Sequence, residues 1–354
     1  MENNKRLYLD VVKGITIFLM LWTHCIQYCA MGSFDSFANP VYKAIYSFHM
    51  PLFMIVSGYL FFFSFQKRDL KSLLIHRVQS LLQPIVFCTI LNNLLMNLAY
   101  AVLSGSGQFL DGHLLTGMTV LLWFLWCVLA SSTAVGLACK ASGKGWLQGI
   151  LLCGGMAFVA LFPEKDFQLF MYPFFVGGFL FAKYRQVLRK WIGRWKYAVL
   201  LIFPMLLPRY EWTHYIYLIP FWGTEYPGWF YLKTDAFRFL IGFAGSAFVL
   251  VLVELLFRMT AFRGRTPKLL RILGKLGENS LQIYCLSVPL LSGYLPIVYE
   301  KLMQPFGCNL LAENMLLFNW VFTPLIAAAY CAGLYLLIVI LKRSGLHGLL
   351  FGRG

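Results

Sequence analysis

The chain has 354 residues, of which 60% are hydrophobic, 18% aromatic and 12% charged, with a mean hydropathy of +0.70. A soluble domain carries roughly 25% charge and about 45–50% apolar residues, so a water-facing globular enzyme is excluded, and the aromatic content excludes a disordered chain. The net charge of +16 sits in short basic clusters between apolar runs, which is the pattern of membrane orientation signals and gives no reason to expect nucleic acid as a partner.

A membrane-spanning helix needs about 20 mostly apolar residues. In chain order the candidate runs are 9–30, 45–65, 79–103, 116–139, 146–162, 167–182, 197–208, 236–258, 279–298 and 315–341. They are continuously apolar rather than alternating, so the expected fold is all-α, a polytopic membrane helix bundle of about ten transmembrane helices forming one domain over residues 1–354. With both termini cytoplasmic, the inside segments hold 24 of the 30 Lys and Arg residues and the outside loops hold five, with Arg238 just inside the eighth run. One missing span would invert every later loop and destroy that asymmetry. The first run is too long for a cleaved signal peptide and carries Asp10 and Lys13 near its start. The weakest run, 197–208, is closed by Pro208 and reads as tilted, re-entrant or extended into the aromatic stretch that follows. Eight of the nine cysteines lie inside apolar runs without a CxxC pair and read as small buried hydrophobes.

The chemistry-bearing residues begin in the first run. His24 lies about 15 residues in, roughly 22 Å along a helix, in the outer half of the membrane. Lys13 precedes it by eleven residues, close to three whole turns, so the two share a face, and Asp10 sits one turn before Lys13. His49 follows the outer start of the second run by a few residues, so an antiparallel hairpin sets the two imidazoles at similar depth. An ionisable group inside a bilayer is costly and marks a functional candidate, the bland alternative being a neutral histidine bonding between helices. Loop bases near the third run, Lys67, Arg68, Lys71 and Arg77, offer anchors for phosphates, or serve orientation and anionic-lipid contact. His76, His113, His214 and His347 read as incidental loop residues, and no metal-ligand spacing is present.

These residues stand in blocks that resemble a known family. Leu9-Asp10-Val11-Val12-Lys13-Gly14-Ile15 running on to Trp22-Thr23-His24 is similar to the first span of the integral-membrane acyltransferase 3 family. Phe48-His49-Met50-Pro51-Leu52-Phe53, leading into Val56-Ser57-Gly58-Tyr59-Leu60-Phe61, resembles its second-span signature. Weaker marks are Arg77 before Leu81-Leu82-Gln83-Pro84, the block Leu122-Trp123-Phe124-Leu125, and Leu276-Gly277-Glu278-Asn279-Ser280-Leu281-Gln282-Ile283-Tyr284. The resemblance implies transfer of an acyl group, most often acetyl, from acetyl-CoA as co-substrate to a hydroxyl of a cell-surface or lipid-linked carbohydrate. No bound cofactor is implied, and the expected location is the plasma membrane, with the lipid bilayer, acyl-CoA and the carbohydrate acceptor as partners.

By the same resemblance His24 is the catalytic base, Lys13, Arg77 and Asp10 belong to acyl-CoA binding, and Ser57, Gly58, Trp123, Ser280 and Tyr284 support the site. Two positions depart from the pattern: Ser80 where an arginine is common, and Ser287 where many members place a histidine. Attack of a hydroxyl on a thioester needs a base that works near neutral pH, a task suited to His24. It also needs a group facing the oxyanion, for which His49 or Ser57 are candidates.

Three further features stay open at this level. The outer segment 209–235 is crowded with aromatics and has Glu211, Glu225 and Asp235 nearby, forming either a sugar platform or an interfacial belt. Glu254 lies one turn from Arg258 and reads as an i,i+4 pair. Asn92, Asn93 and Asn97 either line a cavity or hold helices together. The rival reading is a transporter or flippase exporting lipid-linked sugar or polysaccharide, favoured by Ser80 and Ser287 but lacking the repeat symmetry common among transporters. A membrane scaffold would leave the Lys13–His24 spacing unexplained.

Overall fold

The computed structural model describes residues 2–30, 38–104, 118–120, 122–143, 145–211, 228–261, 267–287 and 314–352. Among these the regular elements are helices: α1 Glu2–Tyr28, α2 Pro40–Tyr46, α3 His49–Lys67, α4 Leu70–Ser104, α5 Trp123–Ala141, α6 Gly145–Val159 and α7 Lys165–Lys183. They continue as α8 Arg185–Trp195, α9 Val199–Leu206, α10 Gly228–Ala261 and α11 Lys268–Glu278. The last are α12 over 280–287, α13 Thr323–Arg343 and α14 His347–Phe351.

Six described stretches are long and apolar enough to cross a membrane: Arg6–Tyr28, Pro40–Lys67, Leu70–Leu94, Trp123–Ala141, Trp229–Thr260 and Met315–Arg343. Of the other expected spans, 146–162 and 197–208 correspond to the short helices α6 and α9, and 167–182 falls on α7. The run 279–298 is helical over its described part, to residue 287. Large apolar side chains face outward, among them Leu201 at 71% and Leu325 at 63% exposure. A surface of that kind is stable against lipid and not against water, and the molecule is a multi-pass helical membrane protein.

Two helix crossings fix the centre of the bundle, and both run over paired glycines. Where α1 crosses α11, a Cβ on Gly277 would lie 1.7 Å from the Asp10 carbonyl oxygen, and one on Gly14 would lie 1.8 Å from that of Leu273. Where α3 crosses α7, a Cβ on Gly58 would meet the Phe175 carbonyl at 2.0 Å, and one on Gly178 that of Ile55 at 2.0 Å. Lipid tails are as apolar as leucine, so helices in a bilayer are held by close van der Waals approach, which small residues permit. Gly58 therefore lets the α3 and α7 backbones touch. Replacing Gly58 with alanine is expected to destabilise the protein by about 1–3 kcal/mol through overpacking. Gly149 has open space around it, so Gly149→Ala should leave thermal unfolding in detergent unchanged or slightly raised, and the comparison checks the crossing.

The expected second span is not one continuous helix. Asn39 caps α2 by accepting from the Val41 and Tyr42 N–H groups at 3.0 and 3.1 Å, with Pro40 at the first helical position. The helix then breaks at Ser47–Phe48 and restarts as α3 at His49, with Pro51 in its first turn, where a missing N–H costs nothing. The break places His49 at a helix start, directly beneath the last carbonyls of α2.

Candidate functional site

The break gives His49 its hydrogen bond. Its Nδ1 lies 3.0 Å from the Ile45 carbonyl oxygen, an atom that only accepts. The proton therefore sits on Nδ1, and Nε2 carries the lone pair. The buried ring packs against Tyr46, with centroids 5.2 Å apart. His24, on α1, has its Nδ1 3.3 Å from Gln27 Oε1 and stacks on Tyr28 at 5.7 Å. The two imidazoles stand on the packed helices α1 and α3, within electrostatic reach of one another. In this tautomer His49 donates toward an oxyanion only when it holds a second proton. Ser57 is two turns further along α3, about 12 Å from the level of His49.

A polar scaffold holds the segment next to His24. Trp22 donates its indole N–H to Thr323 Oγ1 at 3.0 Å, and that hydroxyl donates to the carbonyls of Phe318 and Asn319 at 3.0 and 3.3 Å. The accepting carbonyls belong to a π-helical turn, Phe318–Phe322, at the start of the last span. One turn of i→i+5 geometry leaves backbone acceptors without helical partners, and such turns recur at functional sites. Asn39 donates to Asn319 Oδ1 at 2.6 Å and so ties the cap of α2 to the same turn. Sequence reasoning passed over Asn39, Thr323 and Asn319. The Asn-Pro start of α2 was a legible helix-cap signal, whereas nothing local announces a pairing across 280 residues.

At the other end of α1, Lys13 pairs with Asp10 at 2.8 Å, on the segment that crosses α11 at Gly277. Lys13 remains about 16 Å along the helix from His24. Arg77 is half-buried in α4, with its guanidinium 5.4 Å above the Phe61 ring. Ser80 turns back on the helix and donates to the Arg77 carbonyl at 3.3 Å. Ser280 follows the buried Asn279, which accepts from Lys342 at 2.7 Å. Tyr284 is buried edge-on to Phe124 at 5.8 Å. Trp123 stands on α5 with its ring 4.4 Å from Phe167. Ser287 donates to the Tyr284 carbonyl within its own helix. The structure thus joins Asp10 to Lys13 and sets the two histidines within electrostatic reach on packed helices, and it places Ser57, Ser280, Tyr284 and Trp123 without a hydrogen bond to either imidazole among the described residues.

Several expectations change in detail. Asp235 does not stand on an open aromatic platform: it is buried in α10 and accepts from Arg238 at 3.2 Å, because an i,i+3 partner neutralises it there. Arg238 is 2% exposed and lies 4.1 Å over the Phe170 ring. Most of the aromatic stretch, 212–227, including Glu225, lies outside the described residues. Glu254 bonds Arg258 at 2.7 Å as expected and also Lys196, 58 residues away, at 2.5 Å. Asn93 and Asn97 donate to the carbonyls four residues back in their own helix, so these bonds do not join helices. Cys153 is exposed, unlike most of the described cysteines. His76 and Arg77 lie within a helix rather than in a loop, since α4 starts at Leu70.

The acyltransferase domain family matches residues 6–343. A nodulation protein, NolL, of Sinorhizobium fredii is 35% identical over 188 residues, covering 51% of this chain and 50% of that protein. NolL of Mesorhizobium japonicum is 30% identical over 210 residues, covering 56% and 54%. The chain thus spans about half the length of the curated relatives it matches. No solved structure matches.

Proposed function

Because the chain belongs to the acyltransferase 3 family, we propose that it is a membrane O-acyltransferase that moves an acyl group, acetyl in the simplest case, from cytoplasmic acyl-CoA to a hydroxyl of a cell-surface or lipid-linked carbohydrate. The observation that carries this reading is the pair of intramembrane imidazoles, His24 beside Gln27 and His49 bonded through Nδ1 to the Ile45 carbonyl. In the reaction the acceptor hydroxyl loses its proton to His24 Nε2 while its oxygen bonds to the thioester carbonyl carbon. The tetrahedral intermediate then expels the CoA thiolate, which takes up the proton. A base already desolvated and held in place by its neighbours needs little reorganisation for that transfer.

Donor phosphates are assigned to two basic groups, Lys13 at the far end of the helix that carries His24 and Arg77 on α4, with Asp10 holding Lys13 in place. Replacing Arg77 with alanine is expected to raise the KM for acyl-CoA with a smaller effect on kcat; an unchanged affinity for CoA would remove Arg77 from the donor site. Multi-pass topology with about ten spans, both termini on the donor side and residence in the plasma membrane belong to this proposal, supported by the distribution of lysine and arginine.

The test is transfer from labelled acetyl-CoA in inside-out membrane vesicles containing the protein. Label is expected in a lipid-linked or polymeric carbohydrate. No label from acetyl-CoA or succinyl-CoA, with the protein folded, would overturn the proposal and favour export of the same kind of molecule.

A further inference from the structure

Each imidazole takes its polar contact from its own stretch of chain, His24 from Gln27 and His49 from the Ile45 carbonyl. Those contacts orient the rings, but they do not set how α1 stands relative to the α2–α3 break. A third element does: the π-helical turn Phe318–Phe322 with Thr323 directly after it. On the α1 side, Trp22, two residues before His24, donates its indole N–H to Thr323 Oγ1 at 3.0 Å. On the other side, Asn39 donates to Asn319 Oδ1 at 2.6 Å. The helix cap fixes the direction of that second bond. Asn39 Oδ1 accepts from the Val41 and Tyr42 N–H groups, so its amide nitrogen faces the turn.

The two anchor points are coupled. The Thr323 hydroxyl shares its proton between the Phe318 and Asn319 carbonyls at 3.0 and 3.3 Å, so a shift at one anchor is passed to the other. Asn39 and Thr323 are 0% and Asn319 is 1% exposed; a bond broken there leaves a bare polar group with no water to replace its partner. The apolar packing agrees. Ile26 of α1, Tyr42 and Ile45 of α2 and Phe318 of the turn belong to one buried cluster, with Trp22 and Tyr46 packed against it. The C-terminal end of α1, the short α2 and the turn thus pack as one unit, and the His49 hydrogen bond runs to a carbonyl inside it. We propose that Asn319 and Thr323 are positioning residues for acyl transfer: one turn of the last span holds Trp22 and Asn39 and thereby sets the separation of the two imidazoles. This role rests on the proposed transfer with His24 as its base. Replacing Thr323 with valine keeps the side-chain shape and removes the hydroxyl, so the Trp22 N–H turns to one of the freed carbonyls and draws α1 toward the turn.

The experiment pairs single-turnover transfer from labelled acetyl-CoA in inside-out vesicles with nitrogen-15 NMR of the histidine rings of the full chain in detergent. Because a misplacement of about 1 Å costs up to about a hundredfold in rate, Thr323→Val and Asn319→Leu are each expected to slow transfer by about 10- to 100-fold. The KM for acetyl-CoA should stay unchanged, and the ring-nitrogen signals of His24 or His49, assigned with His24→Ala and His49→Gln, should move. Thr323→Ser keeps the hydroxyl and should restore both rate and signals. Placed on His24→Ala, Thr323→Val should cost nothing further, because residues acting as a unit are not additive. Thr323→Val is the gentler change and carries the test if Asn319→Leu does not fold. A lowered unfolding temperature with wild-type rate and unmoved ring signals would overturn the proposal, and so would a full further loss on the His24→Ala background. Absence of label with the wild type would strike the transfer reading alone, since the ring signals, read without turnover, still show whether the turn places the histidines.

Discussion

Replacing His24 with alanine is expected to slow acyl transfer by roughly 10²- to 10⁴-fold, the range spanned by positioned general bases, while acyl-CoA still binds. The separation follows from distance: Lys13 and Arg77 are assigned to the donor's phosphates, and Lys13 sits about 16 Å along α1 from the imidazole. Single-turnover transfer in vesicles, read beside equilibrium binding of CoA, checks both halves. His49→Gln should cost less, because a glutamine amide also donates to the Ile45 carbonyl and keeps the α2–α3 break satisfied, while removing the second Nε2. Equal losses at His24 and His49 would instead make the pair one proton-handling unit, as expected for groups within electrostatic reach of each other. Full activity without His24 would leave the transfer without its base and end the assignment.

The parts of this site that were legible in the sequence are those set by local spacing or by lipid. Continuous apolar runs announce spans because a bilayer leaves the backbone no alternative to helix. Asp10 and Lys13 pair because three residues make nearly one turn, and Glu254 meets Arg258 for the same reason. His24 and His49 come within electrostatic reach because consecutive spans pack against each other. What escaped the sequence is long-range or depends on a break in regular structure. The turn at Ser47–Phe48 looks apolar and helical, yet it decides which carbonyl His49 can reach. Asn39 and Asn319, or Lys196 and Glu254, find each other only through packing. His76 read as an incidental loop residue because the hydrophobic run starts after it, whereas the helix begins at Leu70 and carries it into a cationic cavity. Gly58 read as a motif residue; its reason is the Phe175 carbonyl pressed against it.

The same contrast makes the buried Arg238 a long-range stability determinant. A guanidinium 2% exposed in a membrane helix persists only with its charge compensated, here by Asp235 at 3.2 Å and by the Phe170 face at 4.1 Å. Arg238→Met should destabilise the folded protein by about 3–5 kcal/mol, because Asp235 is left as a buried charge without its partner. Asp235→Asn should be the milder change, since the amide oxygen still accepts from Arg238. Combining Arg238→Met with Asp235→Leu should cost clearly less than the sum of the single changes, because an apolar pair of similar volume needs no compensation. Thermal or denaturant unfolding in detergent across this double-mutant cycle measures the coupling. A near-additive result would mean that the two charges do not stabilise each other, and that Arg238 is held instead by Phe170 and its other neighbours.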